Sequence, residues 1–406
     1  MVNVAVLGYG TVGSGVVEVI NTNRALIAHN IKDDIQVKYV LDLREFPGDP
    51  VEKILVHDFD VIVNDPEVDI VVETMGGVHP ALEFSMKALE AGKNVCTSNK
   101  ELVASHGYEL MSAAAANNVN YMFEASCGGG IPIIRPLYTS LAADRIEEIT
   151  GIMNGTTNYI LTKMYYEGAD FADVLREAQE KGYAEKNPSA DIEGYDPCRK
   201  IAILSSVAFD RQMDYNDIYT EGITGITAED FIYARALNAR IRLFGTSTST
   251  EEGVSAMVAP FMIDASSPLY SVDDVFNAIF VKGNMLGDSM FYGRGAGKLP
   301  TASAVAGDVV DMARNLHNTV NKIWDSSKIE LIPHEYAKNA FFVRVKGSAD
   351  ENRDVVNSLF GEVVFTEVPE LVNECAFVTG IMTEGEFASA AEKLPGMITR
   401  IRSRLA

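Results

Sequence analysis

The chain has 406 residues, of which 47% are hydrophobic and 22% charged, values typical of a globular protein large enough for two or three domains. Its net charge of −23 disfavours nucleic acid and anionic membranes as partners, because both would repel it. The four cysteines lie far apart and form no CxxC pair, which disfavours a zinc site or a disulfide framework and favours a cytoplasmic location.

The N-terminal segment predicts a buried parallel strand. Val2 to Leu7 is a short, continuous apolar run that lacks the basic start of a signal peptide. An apolar helical pattern follows from Val16 to Ile27. No apolar run in the chain approaches the ~18 residues of a membrane span, so we expect no membrane segment.

A GxGxxG motif, Gly8 to Gly13, lies between this strand and this helix, the context that dinucleotide binding requires. Gly8 permits the tight turn, and Gly10 lets backbone amides approach a pyrophosphate. Gly13 allows close packing of helix and strand, and Thr11 and Val12 complete the turn. The phosphates then face the positive end of the helix.

The second predicted strand, Gln36 to Leu41, ends at Asp42. An acidic residue at this point often binds the ribose 2′-hydroxyl of NAD. Arg44, two residues on, is instead suited to the 2′-phosphate of NADP. Asp42 is also an ordinary turn residue, and the choice between NAD and NADP stays open.

Strands and helices continue to alternate, which predicts an α/β domain with a Rossmann, doubly wound parallel sheet. Further strands are predicted at Asp69 to Thr74, Asn94 to Thr97 and Asn120 to Ala125, with helices at Pro80 to Ala91 and Leu102 to Ala116. Lys100 follows a strand end, where such sheets bind ligands. A solvated surface lysine is the alternative.

A glycine-rich turn follows the last of these strands. Three glycines after Glu124-Ala-Ser-Cys leave backbone carbonyls free to face a ligand or a hard cation, although a hinge between domains explains them equally. A short helix is predicted from Ile131 to Leu141. The strand Glu147 to Met153 then runs into Asn154-Gly-Thr-Thr-Asn-Tyr, a helix cap or a site for a substrate carboxylate.

The rest of the middle region predicts a second, α+β domain. We expect helices at Phe171 to Lys181 and Ala228 to Phe244, and strands at Val254 to Phe261 and Ala278 to Lys282. A second glycine turn at Gly293 opens a helix lasting to about Leu316. That turn returns to the cofactor or merely caps its own helix.

The loop from Gly182 to Lys200 carries an unusual set of charges. Four carboxylates lie in this loop before Lys200, and Asp196 with Pro197 suits a helix start with Asp196 as N-cap. Lys200 lies four residues on, on the same helix face. An ammonium beside carboxylates is able to hold a zwitterion and move a proton, whereas a solvated ion pair is the simpler alternative.

The same loop resembles the signature of the homoserine dehydrogenase family. The matching pattern is Ala178-xxx-Gly-Tyr-Ala-Glu-x-Asn-Pro-xx-Asp-Ile-x-Gly-x-Asp-xxx-Lys200, without a gap. Asn154-Gly-Thr-Thr-Asn-Tyr, Glu124-Ala-Ser-x-Gly-Gly-Gly-Ile-Pro, Thr97-Ser-Asn-Lys and Gly293-x-Gly-Ala-Gly are also similar to that family, in its order. The resemblance covers roughly residues 1 to 320.

The resemblance implies reversible reduction of L-aspartate 4-semialdehyde to L-homoserine with NADP or NAD. It implies that Lys200 donates the proton, that Asp196 positions it, and that Lys100 stands where cofactor and substrate meet. The implied substrate-binding residues are Glu185, Asp191, Tyr183, Thr156 and Gly155. The implied cofactor-binding residues are Gly8, Gly10, Thr11, Val12, Gly13, Asp42, Arg44, Thr74, Lys100, Gly182 and Gly297. A monovalent cation, sodium, is implied at Glu124, Cys127, Gly129 and Ile131.

The C-terminal segment resembles an ACT domain, the module that many members carry for threonine feedback. Its pattern predicts strand, helix, strand and helix at Ala340 to Lys346, Glu351 to Phe360, Glu374 to Gly380 and Gly385 to Leu394. The usual Pro-Gly of the ligand turn is absent after Asp350, so a structural, oligomer-building role stands beside threonine binding.

The predicted organisation is a Rossmann domain at 1–130 with 295–320 returning to it, a catalytic and dimerisation domain at 131–325, and an ACT-like domain at 335–406, in a homodimer or homotetramer. Two alternatives stay open: another amino-acid dehydrogenase, and a non-enzymatic cofactor-binding regulator. The intact Asp196 and Lys200 pair disfavours the regulator.

Overall fold

The computed structural model describes residues 1–320 and 324–405. Its N-terminal region is a parallel sheet of strand order β3-β2-β1-β4-β5-β6. The strands are Val2–Leu7 (β1), Ile35–Leu41 (β2), Leu55–Val56 (β3), Ile70–Glu73 (β4), Asn94–Thr97 (β5) and Tyr121–Met122 (β6). The helices are Thr11–Thr22 (α1), Arg24–Ile31 (α2), Phe59–Val63 (α3), Ala81–Glu90 (α4) and Lys100–Ala116 (α5). The predicted Rossmann fold is confirmed, and the strand order reverses at the glycine turn after β1.

Three details of this region differ from the sequence expectation. The helix predicted from Val16 to Ile27 is two helices, α1 and α2, separated at Asn23. Strand β3 has two residues, too few to produce a periodic pattern. The strand predicted from Asn120 to Ala125 shortens to β6, because a 3₁₀ turn begins at Glu124.

The middle region combines helices with a mainly antiparallel sheet and with a separate parallel pair of short strands. Its strands are Ile146–Ile152 (β7), Arg211–Gln212 (β8), Tyr219–Thr220 (β9), Arg240–Thr250 (β10), Gly253–Ile263 (β11), Phe276–Gly283 (β12), Gly287–Arg294 (β13) and Asp325–Lys328 (β14). Its helices are Ile134–Tyr138 (α6), Gly155–Glu167 (α7), Phe171–Glu180 (α8), Ser189–Ile192 (α9), Tyr195–Phe209 (α10), Ala228–Ala236 (α11) and Lys298–Arg314 (α12).

The helix predicted from Ala228 to Phe244 was wrong in its second half. Helix α11 ends at Ala236, Asn238 takes a left-handed conformation with φ of 52°, and β10 begins at Arg240. The apolar residues of β10 pair with β11 on one side and β7 on the other. Sheet pairing therefore overrides the helical spacing of those side chains.

Helix α12 returns to the N-terminal region and packs against α1. A methyl group on Gly15 would lie 2.9 Å from both the Ala302 Cβ and the Lys298 carbonyl oxygen, so the two helices are almost in backbone contact. The buried side chains of α12, Ala302, Val305 and Val309 among them, join the core of the parallel sheet. The start of α12 thus lies beside the glycine turn.

The C-terminal region extends the middle sheet instead of standing apart from it. Its elements are Lys338–Lys346 (β15), Ala349–Phe360 (α13), Phe365–Thr366 (β16), Glu374–Val378 (β17), Met382–Thr383 (β18), Glu384–Ala391 (α14) and Met397–Arg404 (β19). The sequence prediction missed β19, which pairs with β11 in parallel and with β15 in antiparallel register. One sheet therefore runs from β13 to β16. The predicted boundary at 325 adjoins residues 321–323, which lie outside the described residues.

Across residues 1–320 and 324–405, no helix has both the length and the apolar character needed to cross a bilayer.

Candidate active site

A cavity of about 490 Å³ lies where the N-terminal and middle regions meet. It brings together most of the residues that the sequence singled out. Those among its lining are Val12, Lys100, Gly129, Gly155, Thr156, Gly182, Tyr183, Asp191, Asp196, Lys200 and Gly297. They come from separate stretches of the chain, so this convergence is a property of the fold.

At the floor of the cavity one carboxylate bridges two lysines. Lys200 Nζ donates to Asp196 Oδ2 at 2.8 Å, and Lys100 Nζ lies 2.7 Å from Asp196 Oδ1. Lys200 Nζ also donates to the carbonyl oxygen of Met153 at 2.7 Å. An ammonium has three N–H bonds, so one remains to face the cavity.

The charges of this triad stabilise one another. Burial raises the pKa of Asp196, but the Lys200 and Lys100 ammoniums outweigh it and hold that pKa well below its ordinary value. Burial lowers the pKa of Lys100, and the Asp196 carboxylate more than reverses this, so the pKa of Lys100 is raised. Asp196 is therefore ionised and Lys100 protonated at neutral pH.

The predicted N-cap role of Asp196 was wrong. Helix α10 starts at Tyr195, two residues before the predicted Pro197, and its N-cap is Gly194 in a left-handed conformation with φ of 85°. The Asp196 side chain makes no capping bond, because both its oxygens face the two lysines. The spacing of four residues that places Lys200 on the same face as Asp196 is nevertheless that of the structure.

Asn154 joins this triad to the acidic loop. Its side-chain amide donates to Asp191 Oδ1 at 2.7 Å and to Asp196 Oδ2 at 2.8 Å, while its oxygen caps α7 through the Thr157 amide. Burial and the nearby Asp196 raise the pKa of Asp191, although the Asn154 amide opposes this. The helix cap predicted at Asn154 is confirmed, whereas its bridge to Asp191 and Asp196 was not predicted. Its position between strand and helix, beside Gly155, was the available signal.

Of the other predicted substrate-binding residues, some line the cavity and one lies outside it. Thr156 donates its hydroxyl to the Tyr183 carbonyl at 2.6 Å, which ties α7 to the loop after α8. Gly182, predicted to contact the cofactor, lines the cavity with φ of 74° and open space before it. Glu185 is exposed and is not among the lining residues, so the structure does not bring it to the cavity.

The glycine turn has the shape that a pyrophosphate requires. Gly8 has φ of 91°, and a methyl group on Gly13 would lie 1.9 Å from the Gly8 carbonyl oxygen. Nothing lies within 4 Å of such a group on Gly10, so the turn is open on that side. Helix α1 has no side-chain cap and no acidic residue in its first turn, which leaves its amides available to phosphates. Thr74 donates its hydroxyl to the carbonyls of Leu7 and Gly8 and supports the turn.

A second cavity, of about 830 Å³, extends from the glycine turn along α1. Arg44 lines it, whereas Asp42 does not. The Asp42 carboxylate accepts from the Tyr9 amide at 2.7 Å and from the Arg44 guanidinium at 2.8 and 3.0 Å. The Arg44 side chain is 61% exposed and that of Asp42 only 10%. The group presented to a ligand here is thus the cation.

The Glu124 turn offers a cation only backbone oxygens, because its carboxylate is engaged. Both Glu124 carboxylate oxygens are taken by the amides of Ile133, Ile134 and Arg135, at 2.5 to 2.8 Å. Within the described part of the chain, no group of three or more His, Cys, Asp or Glu side chains is arranged to hold a metal. Hydrogen bonds of the described residues leave the Cys127, Gly129 and Ile131 carbonyls without a donor.

The arrangement is suited to reduce a carbonyl group. A protonated lysine faces the cavity with one free N–H bond, and a second lysine shares its carboxylate, so developing negative charge on a substrate oxygen meets a fixed positive field. Open backbone amides on the neighbouring turn complete a dinucleotide site.

Comparisons of the sequence and of the structure with known proteins point to one family. A family model described as homoserine dehydrogenase matches residues 132–310, and one described as its NAD binding domain matches residues 8–124. The homoserine dehydrogenase of Neisseria gonorrhoeae is 40% identical over 355 residues, 85% of this chain and 82% of that protein. A solved homoserine dehydrogenase from Thiobacillus denitrificans has a TM-score of 0.91 at 36% identity, over 99% of this chain and 98% of that one. A hyperthermophilic archaeal homoserine dehydrogenase in complex with NADPH has a TM-score of 0.64 at 27% identity, over 77% and 97%.

Proposed function

The chain belongs to the homoserine dehydrogenase family, and from that premise we propose what each part of its site does. It is an oxidoreductase with a nicotinamide cofactor, and its reaction is the reversible reduction of L-aspartate 4-semialdehyde to L-homoserine. The nicotinamide group, when bound, supplies or accepts the hydride. The two alternatives from the sequence, another amino-acid dehydrogenase and a non-enzymatic regulator, find no support in these similarities.

Lys200 is the proposed proton donor to the aldehyde oxygen. The observation that carries this role is the Lys200 ammonium, held by Asp196 and the Met153 carbonyl with one N–H bond left for the cavity. Asp196 orients it, and Lys100 adds a second positive charge beside the reacting oxygen. In the reverse direction the same amine accepts the hydroxyl proton of homoserine.

Asp191 is the proposed partner of the substrate ammonium. It lines the cavity, and the Asn154 amide fixes it on the same side as Asp196. The backbone at Gly155 and Thr156, at the start of α7, is placed to receive the substrate carboxylate at a helix N-terminus. Glu185 contacts the substrate only if its loop moves toward the cavity, and we propose that substrate binding causes this movement.

NADP is the proposed cofactor. The Asp42 carboxylate is already bound by the Tyr9 amide and by Arg44, so it has little capacity left for a ribose hydroxyl. Arg44 is the exposed charge in the second cavity, where it suits a 2′-phosphate. The archaeal relative solved with NADPH agrees with this choice.

A sodium ion is the proposed occupant of the Glu124 turn. Carbonyl oxygens without donors are the ligands that a hard cation prefers. The carbonyl oxygens of Cys127, Gly129 and Ile131 have no donor and are three candidate ligands. Because the Glu124 carboxylate is already engaged, the main-chain oxygen of Glu124 is the fourth. Such an ion would stiffen the turn that joins the two regions; no step of the reaction passes through it.

The C-terminal region is proposed to be an ACT-like domain with a structural role. Two strand–helix–strand units form a sheet of order β19-β15-β17-β16, which continues into the middle sheet through β11. We propose a cytoplasmic enzyme that self-associates, since all four cysteines are free and buried and β13 exposes Met290 and Tyr292. Light scattering measures its subunit number.

Oxidation of homoserine by the purified protein, with NADP and NAD in separate assays, tests this function. We expect oxidation of homoserine, a preference for NADP over NAD, and no response to added threonine. Absence of turnover with homoserine under all these conditions refutes the proposed function. Inhibition by threonine would refute the purely structural role of the C-terminal region.

A further inference from the structure

The residues after β9 connect the C-terminal region to the acidic loop. Strand β9 lies parallel to β11, and residues 221–223 follow it; we call these three residues the linker segment. The first of them, Glu221, contacts the C-terminal strand β19. The other two, Gly222 and Ile223, contact the loop that carries Asp191. The segment therefore lies between two parts of the molecule that are distant in sequence.

On its C-terminal side, the linker segment is held by charges. The Glu221 carboxylate accepts from the guanidiniums of Arg400 and Arg402, each at 2.8 Å, and from the Tyr219 hydroxyl at 2.9 Å. Arg402 is completely buried and gives its remaining bonds to Glu384. Burial raises the pKa of Glu221, but Arg402 and Arg400 outweigh it and lower that pKa, so the carboxylate is charged at neutral pH.

On its other side, the linker segment touches the loop backbone. The Ile223 amide donates to the Ile192 carbonyl at 2.8 Å. A methyl group on Gly222 would lie 2.0 Å from that same oxygen and 2.5 Å from the Glu193 Cα, so the two chains are in direct backbone contact. Ile192 follows Asp191 directly, and α10, with Asp196 and Lys200, begins three residues after it.

The rest of the loop is held mainly by polar bonds, among them the Asn154 amide on Asp191 and the Thr156 hydroxyl on the Tyr183 carbonyl. Helix α9, which contains Asp191, has four residues, none of them buried. A segment with so few buried contacts opens at low free-energy cost, and its position depends on the backbone bonds at its ends. Displacement of the linker segment would therefore move Asp191 more readily than it would move the buried residues of α10.

We propose that Glu221 is a positioning residue for substrate binding: anchored by Arg400 and Arg402 of the C-terminal strand, it holds the linker segment against the loop and so sets the place of Asp191. The C-terminal region thereby contributes to homoserine affinity without touching the substrate. The expected effect on homoserine affinity, the functional half of this inference, rests on the proposed role of Asp191. The link between Glu221 and the position of the loop, the mechanical half, does not.

A second interregion ion pair provides a matched control. Arg344 of β15 is buried and pairs with Asp230 of α11 at 2.7 Å and with Glu374 at 2.8 Å. Like Glu221, Glu374 is a partly buried carboxylate that neutralises an arginine of the C-terminal sheet. Its network leads to α11 and does not reach the acidic loop. The variants Glu221→Gln and Glu374→Gln thus separate general loosening of the C-terminal region from a specific effect on the loop.

Hydrogen exchange and steady-state kinetics of the full-length variants, the exchange measured with bound NADP, test the inference. For Glu221→Gln we expect amides of residues 186–194 to exchange roughly five- to tenfold faster, the size of a typical coupling between sites. The KM for homoserine should rise by a similar factor, while kcat and the KM for NADP stay within about twofold. Glu374→Gln should change neither the exchange of this loop nor the KM for homoserine.

The outcomes separate the two halves. Equal effects of the two variants, or unchanged loop exchange in Glu221→Gln, overturn the inference. Faster loop exchange with an unchanged KM for homoserine supports the mechanical link and refutes the substrate role of Asp191. If Glu221→Gln does not fold, Arg400→Met replaces it, because that arginine is partly exposed and its loss leaves Arg402 on Glu221. Normal exchange and KM in Arg400→Met would then overturn the inference.

Discussion

Replacement of Lys200 by alanine tests the chemical step most directly. The variant lacks the only N–H bond of this ammonium that faces the cavity, since Asp196 and the Met153 carbonyl hold the other two. Loss of a positioned proton donor costs about 10²–10⁴ in rate. We therefore expect kcat to fall roughly 10³-fold, which corresponds to about 4 kcal/mol of transition-state stabilisation.

The protein should otherwise remain intact. Asp196 keeps its ion pair with Lys100, so no buried charge is left without a partner, and the loss of stability should be limited to about 1–3 kcal/mol. NADP affinity, measured by fluorescence titration, should change by less than about twofold because Lys200 does not line the second cavity.

Lys163→Ala is the matched control for this substitution. Lys163 is a partly buried lysine that is likewise paired with carboxylates, Glu167 and Glu177, but it does not line the cavity. Both variants are assayed in both directions by the absorbance of the reduced cofactor. A kcat for Lys200→Ala within about tenfold of that of Lys163→Ala would refute the proposed proton transfer.

Four further outcomes follow from the structure. Arg44→Ala should lower kcat/KM with NADPH roughly tenfold but not with NADH, whereas Arg24→Ala, which breaks a similar surface pair, should alter neither. Asn154→Ser keeps a cap on α7 but loses the bridge to Asp191, so the KM for homoserine should rise about tenfold with α-helical circular dichroism unchanged. Burial raises the pKa of Glu384, but the hydrogen bond to His334 and the charge of Arg402 outweigh it and lower that pKa from 4.5 to about 2. The charged carboxylate therefore stabilises the fold at pH 7, and Glu384→Gln should lower the urea midpoint there. This difference between variant and wild type should shrink as the pH falls from 4.5 toward 2. Sodium chloride should raise the melting temperature above that in choline chloride at equal ionic strength, and equal melting temperatures would refute the cation site.

The parallel half of the fold was predictable because each element carries a local signal. A buried strand such as Val2–Leu7 is apolar throughout, and the glycines after it fix the turn. The middle region was less accessible. The spacing of the apolar residues from Ala228 to Phe244 fits a helix, and only the neighbours of β10 in the sheet decide otherwise. Strand β19 carries arginines at every second position from Arg400 to Arg404, and Arg402 finds its partners in Glu221 and Glu384, on other elements of the fold.

The site divided in the same way. The pairing of Lys200 with Asp196 follows from a spacing of four residues on one helix, which a sequence displays directly. The contact of Lys100 with the same carboxylate could not be read from the sequence, because it joins two regions whose relative position depends on their packing. The same reason hid the bridge that Asn154 forms between Asp191 and Asp196, because the turn chemistry of its own segment predicts only a cap.

The acidic loop sets the balance of charges in the cavity. Lys100, Lys200 and Asp196 together leave one net positive charge where the aldehyde oxygen becomes negative, although the whole chain carries −23. Asp191 stands on the other side of Asn154, and in the proposed binding mode it supplies the negative charge that a substrate ammonium requires. In that mode a zwitterionic aldehyde meets a carboxylate at its amino end and paired ammoniums at its reacting end. The bridging carboxylate fixes the lysines without cancelling them, which a single lysine paired with a single aspartate would not achieve.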